Sequence, residues 1–184
     1  MDLDPQSEDS EWFEAVSETL AFEKEFVIIE NLGPEERLIP HVKYSMDVRD
    51  ELVEVEFCGW GDCLKESFEQ AAQAMYAHLY DLNTIEIKGY CLVEAEGRDL
   101  ADLFYRFVDE LQFALGGAPH LVVRKIVIQE FDESTFLLRA KCYGEKYDPK
   151  RHQSSKSLET ILKENVRIDR SPEGQYKVYY IIYS

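Results

Sequence analysis

Glu54 and Glu56 alternate with Val53, Val55 and Phe57 in the stretch DELVEVEFCGWGD, residues 50–62. In a strand this places both carboxylates on one face, about 7 Å apart along the chain. Carboxylates so placed can hold a hard divalent cation if other oxygens join them. They can also act as general acid and base beside a nucleophile, or form the wet side of a half-buried sheet. Spacing by itself favours the wet face. The four histidines, His41, His78, His120 and His152, are scattered without ligand spacing and read as surface or structural residues. Cys58, Cys63, Cys91 and Cys142 contain no C-x-x-C pair, so reduced thiols are expected in place of a zinc site or a disulfide framework. Asp109 and Glu110 are adjacent on a helical pattern and point apart. The charged run Asp148 to His152 reads as a turn between strands. No phosphate loop, nucleophile elbow, H-E-x-x-H or dinucleotide glycine pattern occurs. These patterns assign no catalytic residue and show no evident active site.

The elements that must position these residues follow from periodicity. Alternation over residues 53–58 predicts a strand with one dry face, ended by Gly59 and Gly61. Leu64, Phe68, Ala71, Met75, Leu79 and Leu82 then recur at helical spacing and predict a helix over about 63–80, with Asp62 as its cap and Glu66 near the positive end of its dipole. A second strand is expected over 85–95. A second amphipathic helix runs from Leu100 to Leu115, stopped by Gly116 and Gly117. Strands alone follow, over 121–131, 136–143, 158–170 and 176–183. Val178, Tyr180 and Ile182 alternate with Tyr179, Ile181 and Tyr183, so the last strand is apolar on both faces and expected to be central. The order predicts an α+β fold, with two helices packed on one face of a largely antiparallel β-sheet.

A formal net charge of -17 over 184 residues argues against direct nucleic-acid binding, which draws on clustered Lys and Arg. Residues 1–37 hold twelve acidic residues against Lys24 and Arg37, a net of minus ten, leaving minus seven for the remaining 147 residues. Residues 1–42 therefore read as an acidic N-terminal arm, and residues 43–184 as the domain. Within the arm, Trp12, Val16 and Leu20 form a short amphipathic stripe, open equally to packing on the domain and to docking a partner. Residues 26–29 could add an edge strand, and Asn31 to Pro34 signals a turn. No apolar run is long enough to span a membrane, and the N-terminus lacks a basic-then-apolar leader. A cytoplasmic or nuclear location is expected.

Three segments, WGDCLKESFEQAAQAMYAHLYD from Trp60, EAEGRDLADLFYRFVDELQFAL from Glu94 and YGEKYDPKRH from Tyr143, together resemble the archease family in order and spacing, from about residue 43 to the C-terminus. The resemblance implies a small accessory protein, not an enzyme, whose partner is the RtcB-type tRNA-splicing ligase complex. That ligase joins RNA ends through a guanylylated intermediate. The resemblance also implies metal ligands. The family's Asp-His-Thr-Ala-Asp run before Trp-Gly reads Asp50-Glu51-Leu52-Val53-Glu54 here, so Glu54 takes the ligand position. The family's Asp one residue from the C-terminus reads Tyr183, with Ser184 contributing as the last residue, and a phenol is a poor ligand for a hard cation. Glu159 stands where the family has a lysine, and Cys63 replaces a capping Thr. Glu54 and Ser184 thus remain as metal candidates, with Tyr183 and Glu159 lost to the site. The framework residues Trp60, Gly61, Gly97, Asp99, Gly144, Glu145 and His152 persist. The expectation is a diverged archease-like interaction module without bound cofactor. The alternative is a functional archease-type activator that rebuilds a site for Ca2+ or another divalent ion from Glu54, Glu56 and Ser184.

Overall fold

The computed structural model describes residues 25–50, 54–116, 120–154 and 156–183, with backbone only for Asp50 and residues 114–116. The stripe of Trp12, Val16 and Leu20 lies outside them. In chain order the elements are β1 (Phe26–Ile28), α1 (Pro34–Arg37), β2 (Tyr44–Asp50), β3 (Glu54–Gly61), α2 (Leu64–Leu79) and β4 (Gly89–Glu96). Then come α3 (Leu100–Gly116), β5 (Leu121–Asp132), β6 (Leu137–Lys146), β7 (Thr160–Ile161), β8 (Arg167–Arg170) and β9 (Tyr176–Tyr183).

The α+β class and the antiparallel pairing agree with the sequence pattern, but the strands divide into two sheets where one was expected. One sheet has the order β1-β4-β6-β5; the other runs β2-β3-β9-β7, with β8 also on β9. Helix α2 rests on β3 and β9 of the second sheet and on β5 of the first, while α3 lies against β4. Both sheets and both helices close on one core. At its centre Phe104 of α3 stands edge-on to Phe68 of α2 and Tyr180 of β9, with ring centroids 5.1 and 5.0 Å apart. Phe57 stacks on the other side of Tyr180 at 5.0 Å, and the buried Tyr180 hydroxyl donates to the Ala71 carbonyl at 2.6 Å.

Several boundaries differ from the sequence reading for identifiable reasons. Strand β3 ends at Gly61, the second of the two glycines expected to stop it, and runs through Gly59. Gly59 is required there because α2 crosses so closely that a Cβ would overlap the Ala71 backbone. Asp62 does not cap α2. The N-cap is Cys63, without a side-chain bond, and Glu66 reaches back to accept from the Asp62 N–H at 2.8 Å, one half of a capping box displaced by a residue. The strand expected over 158–170 is broken by a 3-10 turn at Lys163–Asn165 into β7 and β8, both paired with β9. Strand β9 is central, as its apolar faces suggested. Phe136 is not in a strand but closes the β5–β6 hairpin at φ 52, while the Asp132 carboxylate accepts from the Ser134 and Thr135 N–H groups. Strand β1 does pair at the edge of β4, antiparallel.

The outer edge of β5 shows how a helix protects a sheet margin. Two register shifts, at Val123/Lys125 and Ile128/Glu130, leave backbone groups outside the ladder. Glu69 of α2 accepts from the Ile128 N–H at 2.9 Å, and Gln73, one turn on, donates to the Val123 carbonyl at 3.5 Å. Side chains at i and i+4 therefore stand in for a missing neighbouring strand.

Candidate functional site

The register of the second sheet assembles most of the positions singled out at its end. Glu54, the first residue of β3, lies opposite Tyr183 on β9 and opposite Asp50 on β2. Thr160 lies opposite Tyr183 from the other side, and the Glu159 N–H donates to the Tyr183 carbonyl at 2.8 Å. The Tyr183 hydroxyl accepts from the Asn165 amide at 3.1 Å, a contact created by the turn that interrupts the strand. Ser184 lies outside the described residues. Glu54 and Glu56 share the half-exposed face of β3 with Cys58 and Trp60, as the alternation implied.

Glu56 is not available as a free ligand. Its carboxylate accepts from the Arg49 guanidinium at 2.7 Å. Among the described residues, no group of three or more His, Cys, Asp or Glu side chains gathers where it could hold a metal ion. On the β9 side of the ladder Glu54 faces Tyr183, a phenol, which by itself does not suit a hard cation. The same face of β9 carries Tyr179, over whose ring Arg167 of β8 stacks at 4.1 Å.

A second constellation escaped the sequence reading of residues 148–152 as a plain turn. Glu145 of β6 and His152 are both buried and joined at 2.8 Å. The Asp148 N–H donates to His152 Nδ1 at 2.8 Å, so the ring hydrogen sits on Nε2 and points at Glu145. Glu145 also accepts from the Glu86 N–H at 3.0 Å, from Arg151 at 2.7 Å and from Lys88 at 3.1 Å. Burial pushes its carboxyl up, but the bonds from Arg151, the Glu86 backbone, Lys88 and His152 prevail and hold it at about 2. The hub fastens the loop after β6 to the approach to β4. The segment YGEKYDPKRH carried its signal, an Asp-Pro turn able to return Arg151 and His152 onto Glu145, but not the contacts with Glu86 and Lys88.

Asp102 on α3 is likewise a structural anion. It accepts from the Arg98 N–H at 2.9 Å and meets Arg106 and Lys163 at 3.1 and 3.3 Å. Burial opposes its ionisation, and those donors still hold it below the usual carboxylate range. His78 is buried against the edge of Phe57, and His120 stacks on Tyr147 at 4.5 Å; burial lowers both. Neither approaches Glu54 or Glu145 in a hydrogen bond. None of the four cysteines forms a disulfide.

This two-sheet α+β arrangement recurs in the solution structure of Methanobacterium thermoautotrophicum protein 1598. The match has a TM-score of 0.63 and covers 77% of this chain and 99% of that one at 22% identity, a likeness of fold. The archease protein family (MTH1598/TM1083) matches residues 48–182, and the chain belongs to that family. Among its relatives, a protein archease-like from Drosophila melanogaster is 34% identical over 146 residues, 79% of this chain and 92% of its own length. The archease of Pyrococcus furiosus is 36% identical over 120 residues, 64% and 83% of the two chains. No helix among the described residues is long and apolar enough to cross a membrane.

Proposed function

We propose that this chain is a non-catalytic accessory protein of an RtcB-type tRNA-splicing ligase, acting as a binding module without the family's metal site. The observation that carries the reading is the pairing of Glu54 with Tyr183. In the ligand position that resemblance assigns to a carboxylate stands a phenol already bonded to Asn165, while Glu56 is taken by Arg49. A net charge of -17 supports a protein partner over bare RNA, because phosphate contacts need clustered cations. The half-exposed strip of Trp60, Tyr179, Ile181 and Tyr183 on the same face offers the aromatic surface that protein interfaces favour.

One observation favours a second reading, in which the ligase activator keeps a divalent site. The register sets Asp50 directly opposite Glu54. Titration with calcium and with manganese by calorimetry, together with ligase turnover in the presence and absence of the protein, separates the two. The first reading expects no saturable heat at micromolar ion and co-purification with the ligase. Micromolar binding abolished by Glu54→Ala, accompanied by faster turnover, overturns it in favour of the second.

A further inference from the structure

Behind the segment that leads into β2 lies a cavity of about 230 Å3, far from Glu54 in the fold and used by neither reading above. Its walls come from Ile39, Pro40 and Val42 on one side, Leu82 and Ile126 on the other, and the polar face of α2 behind. Two side chains hold it open. Gln70 clips the wall segment to α2, accepting from the Lys43 N–H at 2.8 Å and donating to the His41 carbonyl at 3.1 Å. Lys125, 4% exposed, donates to the Glu35, Glu36 and Leu38 carbonyls at 2.7, 3.0 and 2.9 Å, satisfying the C-terminal end of α1.

Counting the charges around the cavity leaves one of each sign. Glu66 is paired with Lys43, and Lys125 is consumed by its three carbonyls. Glu69 is half-buried, and only one of its oxygens is bonded, to the Ile128 N–H. Burial pushes that carboxyl up to about 7, outweighing the Ile128 N–H and the nearby charge of Lys65, which lower it. Arg124 is half-buried and makes no ion pair or hydrogen bond among the described residues. The two do not pair with each other, although both line the same space. Leu38 and Val42 beside the mouth are 69% and 65% exposed. The volume falls below the roughly 300–1,000 Å3 of pockets that take drug-sized ligands, so a nucleotide does not fit.

We propose that this cavity binds a small zwitterion with an aliphatic body, its ammonium on Glu69 and its carboxylate on Arg124. A free branched-chain α-amino acid is the simplest member of that class. The aliphatic side chain would displace water from Ile39, Val42, Leu82 and Ile126, and the two end groups would meet the two lining charges that form no ion pair among the described residues.

The full chain titrated by calorimetry with L-leucine, L-leucinamide and N-acetyl-L-leucine tests this. Saturable leucine binding, with each analogue weaker by about tenfold or more, is expected from the loss of one charged contact. Arg124→Gln should erase the preference for leucine over leucinamide, and Glu69→Gln the preference over the acetylated analogue. Absence of saturable heat with leucine up to about 10 mM overturns the proposal. Equal affinity for all three ligands overturns it as well, since the walls alone would then be binding. The analogue comparison uses the unaltered chain and so stands even if a variant fails to fold.

Discussion

Replacing Glu145 by Gln tests the buried hub quantitatively. The carboxylate takes four donors, from the Glu86 N–H, His152, Arg151 and Lys88. A glutamine can accept from the first two but must turn its own NH2 towards the cations. Glu145 ionises at about 2 in the folded chain against an ordinary value of 4.5. If fully realised, that difference corresponds to about 3 kcal/mol of stability at neutral pH. The side chains of Lys88 and Arg151 are 56% and 37% exposed, and water screens their share, which brings the expected loss to about 2 kcal/mol. Because the folded carboxyl ionises below the unfolded one, this stability is complete above about pH 4.5 and drains away as the pH falls towards 2. Urea unfolding followed by far-ultraviolet circular dichroism at pH 7, 5 and 3 measures it. The gap between the native chain and Glu145→Gln should stay near 2 kcal/mol at pH 7 and 5 and shrink clearly at pH 3. A gap of the same size at all three pH values, or none at pH 7, would refute the assignment of charge to the hub.

Glu69 should behave with the opposite sign: its folded value of about 7 lies above the ordinary one, so stability falls as the pH rises from about 4.5 to 7. Glu69→Gln keeps an acceptor for the Ile128 N–H and should be more stable than the native chain by about 1 kcal/mol at pH 8 and no more stable at pH 4, read by the same unfolding curves. Gly59→Ala forces a methyl into the Ala71 backbone, with an expected cost of about 3 kcal/mol or more in thermal or urea unfolding. Lys125→Met leaves three carbonyls of residues 35–38 without their donor, so limited proteolysis should cut the 34–42 segment sooner while far-ultraviolet dichroism of the rest is retained.

Most of the elements were legible because their periods are local. The helix through Leu64, Phe68, Ala71 and Met75 and the helix through Leu103, Phe107 and Leu111 bury those very side chains. Strand β2 is absent from the sequence reading although Tyr44, Met46 and Val48 alternate, because that face is only partly buried and Val48 is exposed, so its apolar contrast is weak. The break between β7 and β8 was also hidden, since residues 158–170 keep enough apolar positions to read as one strand.

The candidate sites were legible to very different degrees. Glu54 and Glu56 were placed on one wet face by alternation alone, and resemblance put Glu54 on the ligand position. That Glu56 is held by Arg49, and that Glu54 faces Tyr183, depend on pairings between β2, β3 and β9. Strand β9 enters that ladder from more than a hundred residues away. The cavity beside Glu69 required α2, β5 and the 39–44 segment to meet before its unmatched charges could be counted.

The amino-acid sequence by itself determined the alternation of strands and helices, the α+β class, the acidic balance and the framework that marks the family, because each is written in periods or motifs within one segment. Only the tertiary structure decided that the strands form two sheets, that Glu145 gathers Lys88, Arg151 and His152, and which carboxylates remain unpaired. Such pairing is settled when residues far apart in the chain compete for the same buried donors, and no local pattern records the outcome.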